Sequence, residues 1–382
     1  MTLMQTLMQK QWAAAWRLTP LSLGALLALS SCGVVKIVKP VGSGGFANLG
    51  FEEGTAGEQP DSWIESSDEL VIDDKVKHSG RSSARLENLG TAPEAQANYC
   101  ADGRNYSNSV VRVSGFMKVK SGIGTVRVSG GGLEGQVTPI TINPVEGATE
   151  TSEPSKPNEW TQWDLVTSFG RDTRRACIQL SMTGKGTAWF DDLLVEKVDL
   201  HKLRPKQIRK MTAPGLDMET SDPGGYPSGW NPGVTSDPEV KHAGSFSARS
   251  DAINIIKNRP QYCGRFSNPR SKFTVDPLRG AVIRISGWMK ADPPDSEMWL
   301  GFIAFGPEEE GGLPRLAEAH RFFRGSDWTR RELITSVPKD LGDACILWSS
   351  RDGYRSLFGE EIKSPEARSI WADDFNVEIL DL

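Results

Sequence analysis

The chain contains the same series of short motifs twice, in the same order, at a spacing of about 165 to 180 residues. The sequence VKHSG at 76–80 returns as VKHAG at 240–244, and RVSGFMK at 112–118 returns as RISGWMK at 284–290. Such a long period predicts two tandem domains, because solenoid repeats are much shorter.

The repeats set the boundaries of the predicted domains. We place the first copy at 46–198, a basic linker at 199–213 and the second copy at 214–382. The charge pattern of the linker predicts a solvated connector, and contact with acidic lipid headgroups or polysaccharide is the alternative. The second copy carries an insertion at 351–368, where a loop on a rigid scaffold could diverge in specificity.

Residues 1–31 have the pattern of a bacterial signal peptide. Lys10 and Arg17 precede an apolar run that is too short to span a bilayer. The run ends in LSSC at 29–32, which resembles a lipobox, so Cys32 is predicted to be lipidated and to begin the mature chain. Residues 32–45 would then be a tether to the membrane. An ordinary signal peptide with an incidental cysteine is the alternative.

This lipid anchor would place the protein in the cell envelope. More than one acyl chain on Cys32 would give stable membrane attachment. Gly33 follows the cysteine, and a residue other than Asp at that position predicts the outer membrane if the organism is Gram-negative.

The other four cysteines fall into two matched pairs, Cys100 with Cys177 and Cys263 with Cys345. Four cysteines allow three connectivities, and only this one keeps each bond within a copy. In a secreted chain, one even pair per repeat predicts one disulfide per domain. A metal site is the weaker alternative, since no C-x-x-C motif is present.

Alternating side chains predict β-strands in both copies. Val111, Val113 and Met117 fall on one face of a strand at 110–119, and the polar residues between them fall on the other. Neither copy contains a convincing amphipathic helix. The fold class is therefore all-β, with two tandem antiparallel β-sandwich domains.

Several of these motifs resemble the galactose-binding-like jelly-roll family of carbohydrate-binding modules found on bacterial xylanases and glucanases. The resembling stretches are NLGFEEG at 48–54, HSG at 78–80, SGFMK at 114–118 and WFDDLLVE at 189–196, with counterparts in the second copy. The resemblance implies a carbohydrate-binding function. Met218 in place of Phe51, and the paired cysteines, depart from the pattern.

Matched carboxylates raise the question of a metal ion. On the closing strand we expect Trp189, Asp191, Leu193 and Val195 to share a face, so that Asp191 needs a polar partner. Glu52 could lie beside it, and Glu219 with Asp373 would repeat the arrangement. Such oxygens would suit a structural Ca²⁺, which the resemblance also implies. The alternative is that the Asp side chains accept turn N–H groups without an ion.

The polar face of the repeated strand is the predicted ligand surface. An exposed aromatic ring flanked by polar donors suits a sugar, because the ring packs against C–H groups and the donors bind hydroxyls. In the alternative, Phe116 and Trp288 lie under a covering loop. We expect the other matched tryptophans in the core: Trp63, Trp160, Trp189, Trp230, Trp328 and Trp371. The predicted ligand residues are Arg112, Phe116, Lys118, Gln179, Arg284, Trp288 and Lys290.

The sequence shows no catalytic signature. No phosphate loop, dinucleotide fingerprint, Gly-x-Ser-x-Gly or His-Glu-x-x-His motif is present. The net charge of -5 argues against a nucleic-acid partner. We therefore expect a non-catalytic, lipid-anchored protein that binds polysaccharide, with no catalytic cofactor. A structural or adhesive surface protein that binds protein partners is the alternative.

Overall fold

β-Strands account for the regular structure of both copies in the computed structural model. It describes residues 45–63, 70–132, 137–146, 158–211, 215–222, 225–230, 234–251, 261–265, 275–294, 296–307, 315–350 and 369–382. Within these ranges there is no α-helix, only four short 3₁₀ turns at Gly103–Tyr106, Leu200–Lys202, Pro205–Gln207 and Asp276–Leu278. No described segment is a helix long and apolar enough to cross a membrane. The predicted signal peptide and Cys32 lie outside the described residues.

The described residues of the first copy form seven strands, and two of them are long enough to belong to both layers of a sandwich. They are β1 (Leu70–Asp73), β2 (Ser83–Asn88), β3 (Glu94–Asp102), β4 (Val110–Gly132), β5 (Val137–Glu146), β6 (Thr161–Ser168) and β7 (Thr173–Val198). In the first layer the order is β1–β2–β7–β4–β6, formed by the end of β7 and the start of β4. In the second layer the order is β3–β7–β4–β5.

The second copy repeats this topology, except that each of the two long strands is replaced by two shorter ones. The connector contains β8 (Ile208–Lys210). The described strands of the second copy are β9 (Ser221–Asp222), β10 (Tyr226–Pro227), β11 (Thr235–Asp237), β12 (Ser247–Asp251), β13 (Gln261–Arg265), β14 (Val282–Asp292), β15 (Glu297–Phe305), β16 (Arg315–Arg324), β17 (Thr329–Ser336), β18 (Asp343–Ser350) and β19 (Ser369–Leu380). The first layer is β11–β12–β19–β14–β17, and the second is β13–β18–β15–β16. All these pairings are antiparallel, so the predicted tandem β-sandwich fold is confirmed.

The core lies between the layers, and the predicted alternation places its side chains. Val111 and Val113 in β4 and Ile283 and Ile285 in β14 are fully buried. Met117 is also buried, with 1% of its surface exposed. Period-two burial therefore holds in the repeated strand of both copies.

One face assignment on the closing strand is wrong. Asp192 and Asp374 have left-handed backbone conformations, each with φ of 50°. The pairing of β4 with β7 shifts register at this point, with one extra residue on β7. The side chains that follow therefore face the opposite side of the layer from the one that simple alternation predicts. Trp189 and Asp191 consequently lie on the outer side of the first layer, whereas Leu193 packs in the core.

The linker also differs from the prediction of a solvated connector. Its strand β8 pairs with β19, which places Ile208 opposite Leu380. The apolar side chains Leu200, Leu203 and Ile208 pack against a cluster contributed by both copies. Burial of these residues fixes the connector to the surface, since leaving them in water would be unfavourable.

The two copies are joined directly. Strand β6 pairs with β17, with Thr167 opposite Thr335, and β5 pairs with β16. The backbone N–H of Val166 donates to Ser336 Oγ at 2.7 Å. The described residues of the two copies consequently belong to one compact unit.

The cysteine pairs lie at matched positions of the second layers. Cys100 and Cys177 face each other on β3 and β7 and form a disulfide, which confirms the first predicted pairing. Cys345 is disulfide-bonded. Cys263 lies directly opposite Cys345 in the pairing of β13 with β18, at the position predicted for its partner.

Candidate functional site

A turn at residues 76–81 folds onto the outer side of the first layer and is held there by Asp191. The Asp191 Oδ2 atom accepts the backbone N–H groups of His78 at 2.8 Å and Ser79 at 3.1 Å. Its Oδ1 atom accepts the N–H of Asp192 at 2.7 Å. Asp191 is fully buried, so this carboxylate fixes the turn through three backbone donors, as the alternative interpretation of the sequence expected.

The second copy repeats the arrangement around Asp373. Its Oδ2 accepts N–H groups from His242 at 2.9 Å and Ala243 at 3.2 Å, and its Oδ1 accepts from Asp374 at 2.9 Å. Burial raises the pKa of Asp373 to about 6, despite the opposing backbone hydrogen bonds. Burial also raises the pKa of Asp191.

A second carboxylate holds the same turn from its other end. Both oxygens of Glu52 accept the backbone N–H of Arg81, at 3.0 and 2.9 Å. A Cβ atom at Gly80 would lie 1.8 Å from Glu52 Oε1, and Gly80 has φ of 62°. Only glycine therefore fits between the turn and the carboxylate.

The equivalent carboxylate in the second copy is Glu219, which accepts the N–H of Ser245 at 2.7 Å through Oε2. Among the described residues, its buried Oε1 atom has no hydrogen-bond partner. An oxygen without a donor fits a hard cation such as Ca²⁺. The carboxylates predicted as ligands thus converge on one turn in each copy, and calcium binding stays a prediction.

An aromatic cluster forms where this turn meets the outer side of the first layer in the first copy. The His78 ring stacks on Phe116 with centroids 3.5 Å apart and planes 14° apart. Trp160 meets His78 edge-on at 5.7 Å. His78 Nδ1 lies 2.8 Å from Asp192 Oδ2, and the Ser79 hydroxyl donates to Asp192 Oδ1 at 2.8 Å. We call His78, Phe116 and Trp160 the first aromatic cluster.

The second aromatic cluster is formed by His242, Trp288 and Trp328. The His242 ring stacks on Trp288 at 3.8 Å and 13°, and Trp328 meets it edge-on at 5.9 Å. His242 Nδ1 lies 3.3 Å from Asp374 Oδ2. Three rings and one carboxylate therefore recur with the same geometry in both copies.

Two tryptophans expected in the core lie in these clusters instead. Trp160 and Trp328 are half-exposed, whereas Trp63 and Trp230 are buried in the core. Trp189 and Trp371 are also buried, but on the outer side of the first layer, so the core expectation is wrong for them as well. Their Nε1 atoms donate to Asp73 and Asp237, each at 2.9 Å. Trp160 and Trp328 each stand one residue before a strand begins, at Thr161 or Thr329. That position lies outside the alternating pattern of the strand. This signal in the sequence could have distinguished Trp160 and Trp328 from the tryptophans of the core.

The predicted ligand residues of the first layer have partners within the protein. Arg112 forms an ion pair with Asp164 at 2.8 Å, and Lys118 lies 5.9 Å from the centre of the Trp189 ring. Phe116 is half-exposed beneath His78, as the covering-loop alternative described.

Their counterparts in the second copy show the same pattern. Arg284 forms an ion pair with Glu378 at 3.0 Å, and Lys290 lies 6.0 Å from the centre of the Trp371 ring. Trp288, like Phe116, is half-exposed beneath its histidine.

Gln179 is not part of this surface, because it lies on the first part of β7, which belongs to the second layer. Its amide donates to Gln96 Oε1 at 2.6 Å, and Arg127 donates to Gln179 Oε1 at 3.3 Å. Gln96 in turn donates to Glu94 at 2.8 Å, and Arg127 lies 3.4 Å from Glu94. These four half-exposed side chains form a polar ladder across the outer side of the second layer.

The comparisons with known proteins concern the fold. No family model and no curated protein sequence matches this chain. The tandem CBM22-1-CBM22-2 domain of Paenibacillus barcinonensis Xyn10C is similar over 88% of this chain and 98% of its own, with 14% identity and a TM-score of 0.31. TmCBM61 in complex with β-1,4-galactotriose matches 41% of this chain and all of its own, with 14% identity and a TM-score of 0.30.

A third similar structure is the ANX1 ectodomain from Arabidopsis thaliana, with 8% identity and a TM-score of 0.28. It covers 87% of this chain and 95% of its own. The first two structures are carbohydrate-binding modules, the class that the sequence motifs resemble. The strand pairings described above define the fold, and the residues of this chain alone carry the function proposed below.

Proposed function

We propose that this protein binds polysaccharide without catalysis, through its two aromatic clusters. The observation that carries the proposal is that Trp160 and Trp328 remain half-exposed at matched positions outside both cores, beside Phe116 and Trp288, each of which has a histidine stacked on one face. Burial in a core does not account for large rings retained at the surface. A sugar ring offers C–H groups that pack on such rings.

Polar groups beside the rings supply partners for sugar hydroxyls. Asp192 Oδ1 and Oδ2 already accept from Ser79 and His78 at the rim of the first cluster. The second cluster has Asp374 and His242, with Ala243 in place of Ser79. We expect the two sites to differ in affinity, because one hydroxyl is missing from the second.

We do not expect the carboxylates next to the clusters to act as a glycosidase pair. Glycosidases need one carboxyl group as acid and a second as base or nucleophile. Asp191 is fully buried and accepts three backbone N–H groups, and Glu52 accepts the backbone N–H of Arg81. We therefore expect no release of reducing sugar from any polysaccharide that the protein binds.

The binding experiment uses the full mature chain against a panel of immobilised plant, fungal and bacterial polysaccharides. We expect binding to at least one member, and a loss of at least tenfold in affinity in Trp160→Ala and Trp328→Ala combined, about 1.4 kcal/mol. Leu89→Ala, which truncates an exposed side chain away from the clusters, is the control. Absence of binding across the panel, with proteins co-purifying instead, would favour the adhesive alternative.

Attachment to the membrane is a second part of the proposal. Lipidation of Cys32 would tie the two-copy unit to the cell envelope and, in a Gram-negative organism, to the outer membrane. Labelling with a palmitate analogue should mark the wild-type chain in the membrane fraction. Cys32→Ala should remove the label and release the protein, and retention of the label would overturn this assignment.

Structural calcium is the third part. Glu219 and Asp373, with Glu52 and Asp191 in the first copy, would hold the ion at the two turns. Ca²⁺ should raise the melting temperature of chelator-treated protein, because it would supply the partner that Glu219 Oε1 lacks. Equal melting temperatures with chelator and with excess Ca²⁺ would remove the ion from the account.

A further inference from the structure

The contact between the copies is symmetric at the level of single residues. Thr167 and Thr335 pair with each other, and each stands seven residues after the matched tryptophan, Trp160 or Trp328. The Val166 N–H donates to Ser336 Oγ at 2.7 Å, and the Ile334 N–H donates to Ser168 Oγ at 3.2 Å. The same hydrogen bond is therefore made once in each direction.

The apolar contacts follow the same rule. Matched side chains from the two copies form one buried cluster, namely Val110 with Val282, Val166 with Ile334, and Val198 with Leu380. The second layers also meet through equivalent strands, β5 and β16. Reciprocal contacts between equivalent residues define an isologous interface. A pseudo-two-fold axis thus passes between Thr167 and Thr335.

The direction of this axis follows from strand pairing. Residues opposite each other in an antiparallel pair point to the same side of the sheet. The axis is therefore perpendicular to the joined first layers, and their outer sides face the same way. Phe116 alternates with the buried Met117, so both aromatic clusters lie on this one face of the molecule.

The two sites are consequently related by a half-turn within one plane. A polysaccharide chain has a reducing and a non-reducing end, so it presents different groups in its two directions. A straight chain that crossed both clusters would run in opposite directions relative to each. The direct strand pairing and the packed connector hold the copies in this relation.

We infer that each molecule binds two polysaccharide segments that run in opposite directions, and so bridges two chains instead of lying along one. This inference rests on the proposed function, because it assigns the ligand to the same two clusters. The ligand would accordingly be a polysaccharide whose chains lie next to one another, and the protein would cross-link these chains.

The test is calorimetric titration of the full mature chain with oligosaccharides of increasing length, taken from the polysaccharide that binds best in the panel. We expect two oligosaccharides per protein at every length, and affinity that stops increasing once one cluster is filled. If the number of oligosaccharides bound per protein fell from two to one as their length increased, and binding became at least tenfold tighter, one chain would span both clusters. That result would overturn the inference. A single oligosaccharide at every length would also overturn it.

Light scattering on the intact polysaccharide gives the second readout. Wild-type protein should increase the apparent size of the polymer, most strongly at intermediate ratios of protein to polymer, as bridging requires. Trp328→Ala should still bind through the first cluster but should not increase the size. Binding by the wild type without any increase refutes bridging and leaves the proposed function intact, whereas absence of binding refutes both.

Discussion

The two copies agree in the first layer and differ in the second. Around the turn, Asp191 and Asp373 accept the same three backbone donors, and both aromatic clusters repeat. On the outer side of the second layer, the described counterparts of two members of the polar ladder, Gln179 and Arg127, are apolar or lack a side chain. Gln179 corresponds to Leu347, since each stands two residues after its matched cysteine.

The second copy builds an apolar cluster at the same place. Trp299, Ile303 and Leu347 are each no more than 3% exposed, and they pack together with Phe322 and Cys345. A Cβ atom at Gly301 would lie 2.2 Å from the Trp299 ring, so the ring lies against the glycine backbone. The two copies thus share the turn and its aromatic cluster, whereas the outer side of the second layer is polar in the first copy and apolar in the second.

The turn should be the most sensitive point in both copies. Asp191→Ala and Asp373→Ala would each leave three backbone N–H groups without their acceptor, so we expect a loss of about 3–5 kcal/mol in unfolding free energy. Urea unfolding measures it. Glu58→Ala, at an exposed carboxylate, should change stability by less than about 0.5 kcal/mol. A loss below about 1 kcal/mol in one copy alone would break the equivalence of the turns.

Exchanging residues between the second layers should have unequal effects. Leu347→Gln would place an amide in the apolar cluster, with an expected loss of about 2–3 kcal/mol. Gln179→Leu replaces a half-exposed member of the polar ladder and should change stability by less than about 1 kcal/mol. Denaturant unfolding of both variants checks this, and equal losses would mean that the two faces are buried alike.

The pH dependence should expose the raised pKa of Asp373. A carboxyl whose pKa is about 6 in the folded chain and 3.8 as an ordinary group binds its proton more tightly when folded. Its contribution to unfolding free energy should therefore decrease as pH rises from about 4 to about 6, by about 1–2 kcal/mol, and level off above. The measurement is the unfolding free energy of chelator-treated wild type and Asp373→Asn as a function of pH. Identical slopes between about pH 4 and about pH 6 would contradict the raised pKa of Asp373.

Truncation of the rings in the aromatic clusters should also have only a small effect on stability. Trp160→Ala and Trp328→Ala each remove a half-exposed ring from an edge-on contact with histidine. We expect losses below about 1.5 kcal/mol in each, smaller than for a buried tryptophan. Thermal unfolding provides the comparison with Trp230→Ala, and equal losses would place the rings in the core.

The sequence was sufficient for the features that repeat locally. Strand alternation predicted the buried Val113 and Ile285, and matched cysteines predicted the bond between Cys100 and Cys177. These features depend on period and pairing within one copy. The resemblance in motifs pointed to the same two-layer fold.

The sequence was not sufficient where one residue changes the geometry. The left-handed Asp192 turns the closing strand over, which reversed the predicted face of Leu193. Since β4 and β7 each belong to both layers, Gln179 of β7 lies in the second layer and Phe116 of β4 lies in the first. The packed connector and the symmetric contact at Thr167 depend on tertiary pairing that spacing along the chain does not encode.

Counting the sugar sites tests the central claim most directly. Titration of the full mature chain with one well-bound oligosaccharide should give two sites in the wild type, one in Trp160→Ala, one in Trp328→Ala and none in the double variant. All four proteins should keep the cooperative unfolding of the wild type. Two remaining sites in a folded double variant would contradict the account, because the sugar would then bind away from both clusters.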